Sequence, residues 1–593
     1  MKSLLSLVIA ALMLPASLCA EVIRVNSQAA FDAMASSVSA AVASGAAQVT
    51  VELSPGTYYF SENHLKLARK QWPGVSIAIR GNGATLVSEG KDFVAGQKFA
   101  AVFSANHGFV SLTAGLVPLW GDLMQADELV EVVNESAKLC RLSCADIDQD
   151  VPADRCGNVY INLTQWYRSN TYRVKYIKDS YVYFTATDLT YNKARKCHSV
   201  NLDYGFGKMM PRFRLCNMPQ TDEPLMSLSG GTVALPKGVS RVHQCTATRF
   251  LHLDHTALAA LSIDSLTFLG NSNSSAALLQ LTNSTLGAFS LSRCTFSAIQ
   301  SNVVKADTTD NVSVTRCTFR DCFRHGVYTV NSANATITGN TFVRMGLACN
   351  NTFSIRSSGK NISIADNTIE DYGYGGIAVG TWWASPKRMD NTGVVERNLL
   401  RYTDDYMDQW LSHSLMDSGA IYVYTQCDDI QIRHNFINNY NGAYYNRGIF
   451  CDDGTLNVAI SSNIITNITN SYAIDLRRSV SIERAANSHT PTVNVNNRIS
   501  GNIISAPIRF EGRDANANCR LGTNLLLGKA AELKSECVTS NLQSEAAYLN
   551  IRQWSADKDC LTLPANQSAT LRRLPGYKAL SQWINLSSAP LKK

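Results

Sequence analysis

One short pattern returns eight times between residues 290 and 504. It alternates polar and apolar residues, places an Asn or a Cys, and closes on a β-branched or apolar pair. Ser-Leu-Ser-Arg-Cys-Thr-Phe ends at Phe296, and Ser-Val-Thr-Arg-Cys-Thr-Phe ends at Phe319. Thr-Ile-Thr-Gly-Asn-Thr-Phe ends at Phe342 and Ser-Ile-Ala-Asp-Asn-Thr-Ile at Ile369, with further copies closing at Leu400, Ile437, Ile465 and Ile504. The markers Cys294, Cys317, Asn340, Asn367, Asn398, Asn435, Asn463 and Asn502 are spaced by 23, 23, 27, 31, 37, 28 and 39 residues. A constant minimum with a variable excess describes coils that have fixed strands and loops of free length. A turn residue repeated at one height lands above its copy in the next coil. Asn there satisfies its own turn and its stacked neighbour. Cys is small and tolerates burial, so Cys294 and Cys317 read as ladder members rather than reactive thiols.

A second segment recurs between the ladder positions. Gly326-Val327-Tyr328-Thr329-Val330 aligns with Gly376-Ile377-Ala378-Val379-Gly380, then with the segments beginning at Ala420, Gly448, Ala473 and Pro507. Period-two alternation turns Ile377, Ile421, Ile449, Ile474 and Ile508 inward, together with Val379, Val423, Cys451, Leu476 and Phe510. The outward columns then hold Tyr328, Tyr422, Phe450, Asp475 and Arg509, beside Tyr424, Asp452, Arg477 and Glu511. A merely solvated face would favour Thr, Ser and Lys. Aromatic rings beside carboxylates and Arg suit a sugar-binding groove. Together the two repeats predict an all-β solenoid, a right-handed parallel β-helix in a single stack.

The rest of the chain is read around that stack. Residues 1–20 have the form of a signal peptide: Met1-Lys2, an apolar run from Leu4 to Leu14, then small residues up to Ala20. The run is too short to span a bilayer, so a secreted or periplasmic protein is expected, without a membrane span. Residues 21–99 read as an N-terminal cap and the first coils, with a capping helix over Phe31 to Ala43. Residues 100–240 lack the ladder and read as an inserted β-rich subdomain. Residues 241–515 read as the β-helix with a catalytic face. Residues 516–593 read as a C-terminal cap with a helix around Ala530 to Ser535.

Composition narrows the partners. Charged residues make up 17% and the net charge is +7, with no run of five Lys or Arg, so no nucleic-acid partner is expected. A mild preference for acidic glycans fits that charge. Of the 16 Cys, Cys140, Cys144, Cys156, Cys197, Cys216 and Cys245 crowd one region. Disulfides are expected there after export. Without a CxxC pair, zinc is not.

The Pro55-Gly-Thr-Tyr element, the Asn ladder and the Gly-Ile strands resemble the pectate-lyase-like parallel β-helix superfold. Asp417-Ser-Gly-Ala-Ile-Tyr, followed one coil later by Gly448-Ile-Phe-Cys-Asp452-Asp453-Gly454, resembles the active region of glycoside hydrolase family 141. That resemblance implies hydrolysis of plant cell-wall polysaccharide, with fucosidase or xylanase activity. It maps a pair of acidic residues onto Asp417 and onto Asp452 or Asp453. Glycoside hydrolysis needs one carboxyl group as acid and another as base or nucleophile. Strands of neighbouring coils lie about 4.8 Å apart, so carboxylates on them can flank one bond.

Trp382 and Trp383 offer a sugar-stacking platform or fill the space under a loop. Tyr422 and Tyr424 sit on the outward face. His413 lies in a long loop, residues 402–416, that expands the coil next to the site. Arg477 and Arg509 either hold a substrate carboxylate or neutralise Asp475 and Glu511 along the stack. No cofactor or metal is expected for a hydrolase. A polysaccharide lyase acting on uronates is an alternative, and would use an Arg or Lys base with Ca²⁺ held among Asp452, Asp453, Asp475 and Glu511. A non-catalytic glycan-binding β-helix is another.

Overall fold

The computed structural model describes residues 19–94, 109–111, 124–147, 150–154, 156, 160–165, 168–186, 189–192, 197–200, 212–216, 240–272, 274–346, 351–382, 390–403, 418–424, 427–438, 446–452, 454–468, 471–477, 494–510, 516–528, 543–544, 548–557, 559–589 and 591. Three long sheets of 14, 13 and 11 strands run along the molecule, and each coil contributes a strand to each in turn. Every pairing within these three sheets is parallel, as in Ile377 opposite Ile421 and Ile421 opposite Ile449. This is the parallel β-helix expected from the repeats.

The interior is a set of stacked columns. Ile355, Ile377, Ile421, Ile449 and Ile474 form one of them, each fully buried. Phe268, Phe296, Phe319 and Phe342 form another, with ring centroids 5.1, 5.0 and 4.5 Å apart and nearly parallel planes. The Gly-Ile strands have a steric cause. A Cβ on Gly376 would lie 2.5 Å from Leu400 Cδ2, and one on Gly448 would lie 2.6 Å from Ile465 Cγ2. The strand bends there so that these two glycines also face the core, where their neighbours leave no room for a Cβ.

The Asn ladder is built as expected and runs one coil further, to Asn524. Each backbone N–H from Cys317 to Asn502 donates to the side-chain oxygen of the next ladder Asn, at 2.9–3.0 Å. The residue before each marker takes a left-handed turn, as at Asp366 (φ 56°), Arg397 (φ 53°) and His434 (φ 56°). Cys294 and Cys317 are buried at the head of the ladder.

At the N-terminus the capping helix is split at Ala33 into Gln28–Asp32 and Met34–Ala43. Ser27 Oγ accepts from the Ala30 N–H, and Phe31, Met34 and Val38 are buried over the first coil. The strand Gln71–Arg80 pairs directly with Ala257–Asp264, and Thr85–Ser88 with Thr267–Leu269. The stack therefore continues as though the chain between were absent.

That intervening chain makes its own seven-stranded antiparallel sheet between Met124 and Cys216, over a separate core that includes Leu142, Ile161, Val174 and Phe184. The disulfides expected in this region are not formed at Cys144, Cys156 and Cys245, which are buried free thiols. Their shielding from solvent makes them small core side chains.

The helix expected around Ala530 to Ser535 lies outside the described residues. The tail from Ser555 onward packs on the outer side of the second sheet, where Leu561, Leu571 and Leu580 meet Phe436, Ile464 and Ile503. No helix among the described residues is long and apolar enough to cross a membrane.

Candidate functional site

The outer face of the third sheet carries the residues singled out above. Its register makes one outward column of Lys305, Tyr328, Arg356, Ala378, Tyr422, Phe450, Asp475 and Arg509. Tyr424 and Asp452 follow the strand ends of adjacent coils. The expected placement of Tyr422, Phe450, Asp475 and Arg509 in one column is thus what the fold gives. The strand Phe353–Ser357 adds a coil that the alignment of Gly-Ile segments passed over, and with it Arg356.

The face divides into two parts. In the later coils Asp475 is fully buried and held by two arginines. Arg447 Nε donates to Oδ2 at 2.8 Å, while Arg509 donates to both oxygens at 2.7 Å. Arg447, 1% exposed, lies 3.9 Å from the Phe450 ring, and Arg509 lies 4.3 Å from the Tyr472 ring. Of the two roles open to Arg509, the one realised is neutralisation of Asp475. The same clamp occupies the Asp475 oxygens that a Ca²⁺ ion would need. Among the described residues, no three His, Cys, Asp or Glu side chains gather to hold a metal.

In the earlier coils the face is aromatic. The Tyr422 hydroxyl donates to Asp452 Oδ2 at 2.5 Å, and Asp452 is only 9% exposed. Tyr424 packs 4.6 Å from Tyr422, and Phe353 meets Tyr422 edge-on at 5.6 Å. Burial pushes the Tyr424 hydroxyl above the usual phenol range, against the opposing pull of Arg356. His325 lies at the buried start of this face. Its Nδ1 accepts the Phe353 N–H at 3.0 Å, and burial, aided by Arg356, holds its pKa down to about 3. It is therefore neutral at physiological pH.

Asp417, Asp453, Trp383 and His413 lie outside the described residues. Ser418, next in the chain to Asp417, pairs with Asn446, six positions before Asp452 on the following coil. At about 3.3 Å per residue a straight strand would span about 20 Å between those points. A pair formed by Asp417 and Asp452 therefore has to close over much of the face's width. Trp382 is 51% exposed just beyond the strand Gly375–Val379, open to solvent rather than tucked under a loop. Arg477 follows the strand Ile474–Leu476 and is half-buried.

Arg356, His325 and Arg447 were not among the residues expected here. The ladder held a signal for the first: every interval between markers contains one strand of this sheet, and Asn340 to Asn367 had none assigned. Arg447 has no such signal, because strict alternation from Ile449 turns it inward, and only the bend at Gly448 brings it to Asp475.

The family described as "Right handed beta helix region" matches this chain over residues 263–387 and 302–488. With the parallel coils, this makes the chain a right-handed parallel β-helix protein. No curated protein matches it by sequence. Among solved structures, one titled "Glycoside hydrolase" is similar at 11% identity, covering 90% of this chain and 96% of its own, with a TM-score of 0.44. The A-module of the Azotobacter vinelandii mannuronan C-5 epimerase AlgE6 is similar at 10% identity, over 89% of this chain and 95% of its own, with a TM-score of 0.35. PfbA, a surface adhesin of Streptococcus pneumoniae, is similar at 12% identity, over 50% of this chain and 83% of its own, with a TM-score of 0.32. Likenesses this distant bear on neither activity nor substrate.

Proposed function

We propose that this protein is an exported glycoside hydrolase that cleaves a complex polysaccharide, of plant cell-wall type, on the outer face of the third sheet. The observation that carries the reading is Asp452: a nearly buried carboxylate, oriented by the Tyr422 hydroxyl at 2.5 Å, beside an aromatic wall on a rigid sheet. A donated hydroxyl fixes the carboxylate as an acceptor, the state that a nucleophile or general base needs. Asp453, next to Asp452 in the chain, then supplies the proton to the leaving oxygen; Asp417 takes that role only if the chain before Ser418 folds back across the face to within about 10 Å of Asp452. The Trp382 ring, half exposed at the rim, serves as a stacking surface for a sugar.

Reducing ends released from a panel of plant cell-wall polysaccharides test this. Asp452→Asn and Asp453→Asn are each expected to lose about 100-fold or more of the rate, the scale of a lost acid–base group. Undiminished hydrolysis by Asp452→Asn removes Asp452 from the chemistry. Undiminished hydrolysis by Asp417→Asn dissolves the pair with Asp417. Products that absorb in the near ultraviolet would mark elimination instead, and binding without turnover on any polysaccharide would mark a non-catalytic glycan binder.

A further inference from the structure

The aromatic half of the face holds a cation that has no ion-pair partner among the described residues. Arg356 projects outward from the strand Phe353–Ser357 and is partly exposed. Among the described residues, no carboxylate lies within ion-pair distance of its guanidinium. Its neighbours are rings instead, Tyr328 at 5.1 Å and Tyr424 at 4.9 Å. Several other buried or half-buried arginines of the stack are matched: Arg447 and Arg509 on Asp475, Arg344 on Asp321, Arg401 on Glu370. Lys305, two column members before Arg356, lies 5.8 Å from the Tyr328 ring, with Asp307 at 3.9 Å partly offsetting its charge.

A charge withdrawn from water and left unpaired is unfavourable. Ring contacts use the faces of a guanidinium, whereas its fork of N–H donors lies in the plane and fits a carboxylate with two parallel hydrogen bonds. Tyr328 and Tyr424 thus hold the group, and among the described residues none of its N–H donors is taken by a hydrogen bond, so the fork is left for an acidic partner. The strand of Arg356 and the strand that Asp452 follows are three coils apart along the sheet, so the fork is separate from Asp452.

We infer that Arg356, flanked by Tyr328 and Tyr424 and supported by Lys305, is the carboxylate-binding element of a subsite for a uronic acid residue of the glycan. This rests on the glycan-binding part of the reading above and does not depend on which bond is broken.

The test is binding by the full chain, measured by calorimetry. Oligogalacturonate, oligoglucuronate and oligomannuronate are each compared with the same oligomer whose carboxyl groups have been reduced to alcohols. At least one acidic oligomer is expected to bind about tenfold or more tightly than its neutral counterpart, the scale of a charge-assisted bidentate pair. Arg356→Gln is expected to abolish that preference, and Arg356→Lys, which keeps the charge but not the fork, to retain part of it. Equal binding within all three pairs overturns the inference. So does a preference that survives in Arg356→Gln, or a preference for a sulfated galactan with none for uronates. Turnover is not read here, so loss or retention of hydrolysis in Asp452→Asn has no bearing on the role of Arg356.

Discussion

Asn398 uses every polar atom of its side chain. Its oxygen accepts from the backbone N–H and the side-chain amide of Asn367, at 3.0 and 2.9 Å. Its own amide donates to the Ile364 carbonyl and to Asn435, both at 3.0 Å. Truncation leaves several buried groups without partners, each worth about 1–3 kcal/mol. Asn398→Ala is therefore expected to destabilise the fold by about 2–4 kcal/mol in urea denaturation, and a change below about 0.5 kcal/mol would show that the ladder is incidental. Asn398→Cys should cost less, because Cys294 and Cys317 hold equivalent positions with their thiols against backbone carbonyls. His325 gives a second expectation. Its folded pKa of about 3 lies below the unfolded value near 6.5, so the unfolded chain takes up its proton first. The contribution is fully present above about pH 6.5 and is lost as the pH falls toward 3, at about 1.4 kcal/mol per unit. Stability measured from pH 7 to pH 4 should fall less steeply in His325→Gln than in the natural protein. Parallel profiles would show that His325 does not carry the slope.

Elements of this fold were legible wherever the repeat was strict. The inward Ile column and the Asn ladder follow from period-two alternation and constant height, because each coil must bury and hydrogen-bond like the one below it. The strand Phe353–Ser357 breaks the pattern because Ser354 stands where most of the aligned coils have Gly or Ala. Arg447 breaks it because alternation fails at the bend, and a one-dimensional pattern does not register a bend. The chemical role of the outward face was only half legible for a related reason. A column of alternating charge reads alike whether its members bind substrate or one another, and the Asp475 clamp is settled by side-chain reach across three coils. The loops next to Asp452 follow no period, so their contribution to the site has no pattern to read. The clamp itself makes an expectation at this scale. With Asp475 fully buried, Asp475→Asn leaves Arg447 and Arg509 without their counter-charge, and should destabilise the stack by about 3–5 kcal/mol. A thermal midpoint unchanged from the natural protein would mean that the pair of arginines is neutralised elsewhere.

As a whole the molecule is one linear stack carrying one lateral outgrowth. Consecutive coils touch only their neighbours, so stability is expected to accumulate along the axis rather than around a single centre. The insertion interrupts the chain but not the stack, since Gln71–Arg80 pairs with Ala257–Asp264, in register from Ser76 opposite Ala260 to Arg80 opposite Asp264 after one shift. Its own core is separate, and it leaves and rejoins through antiparallel strands in which Val94 faces Arg241 and Gly90 faces Cys245. Two residues that face each other across an antiparallel pair can be joined by a two-residue turn such as Asn-Gly. Replacing residues 95–240 by Asn-Gly should therefore yield a soluble β-helix with parallel-sheet circular dichroism and a cooperative melt. The new hairpin exposes the strand edge at 242–244 that Phe109–Ser111 covers, which should cost some stability locally. If the shortened chain is insoluble or melts without cooperativity, the insertion is a structural partner of the stack. If it folds and its binding of acidic oligosaccharides matches the full chain, the glycan-facing surface belongs to the coils alone, and the insertion serves some other surface of the molecule.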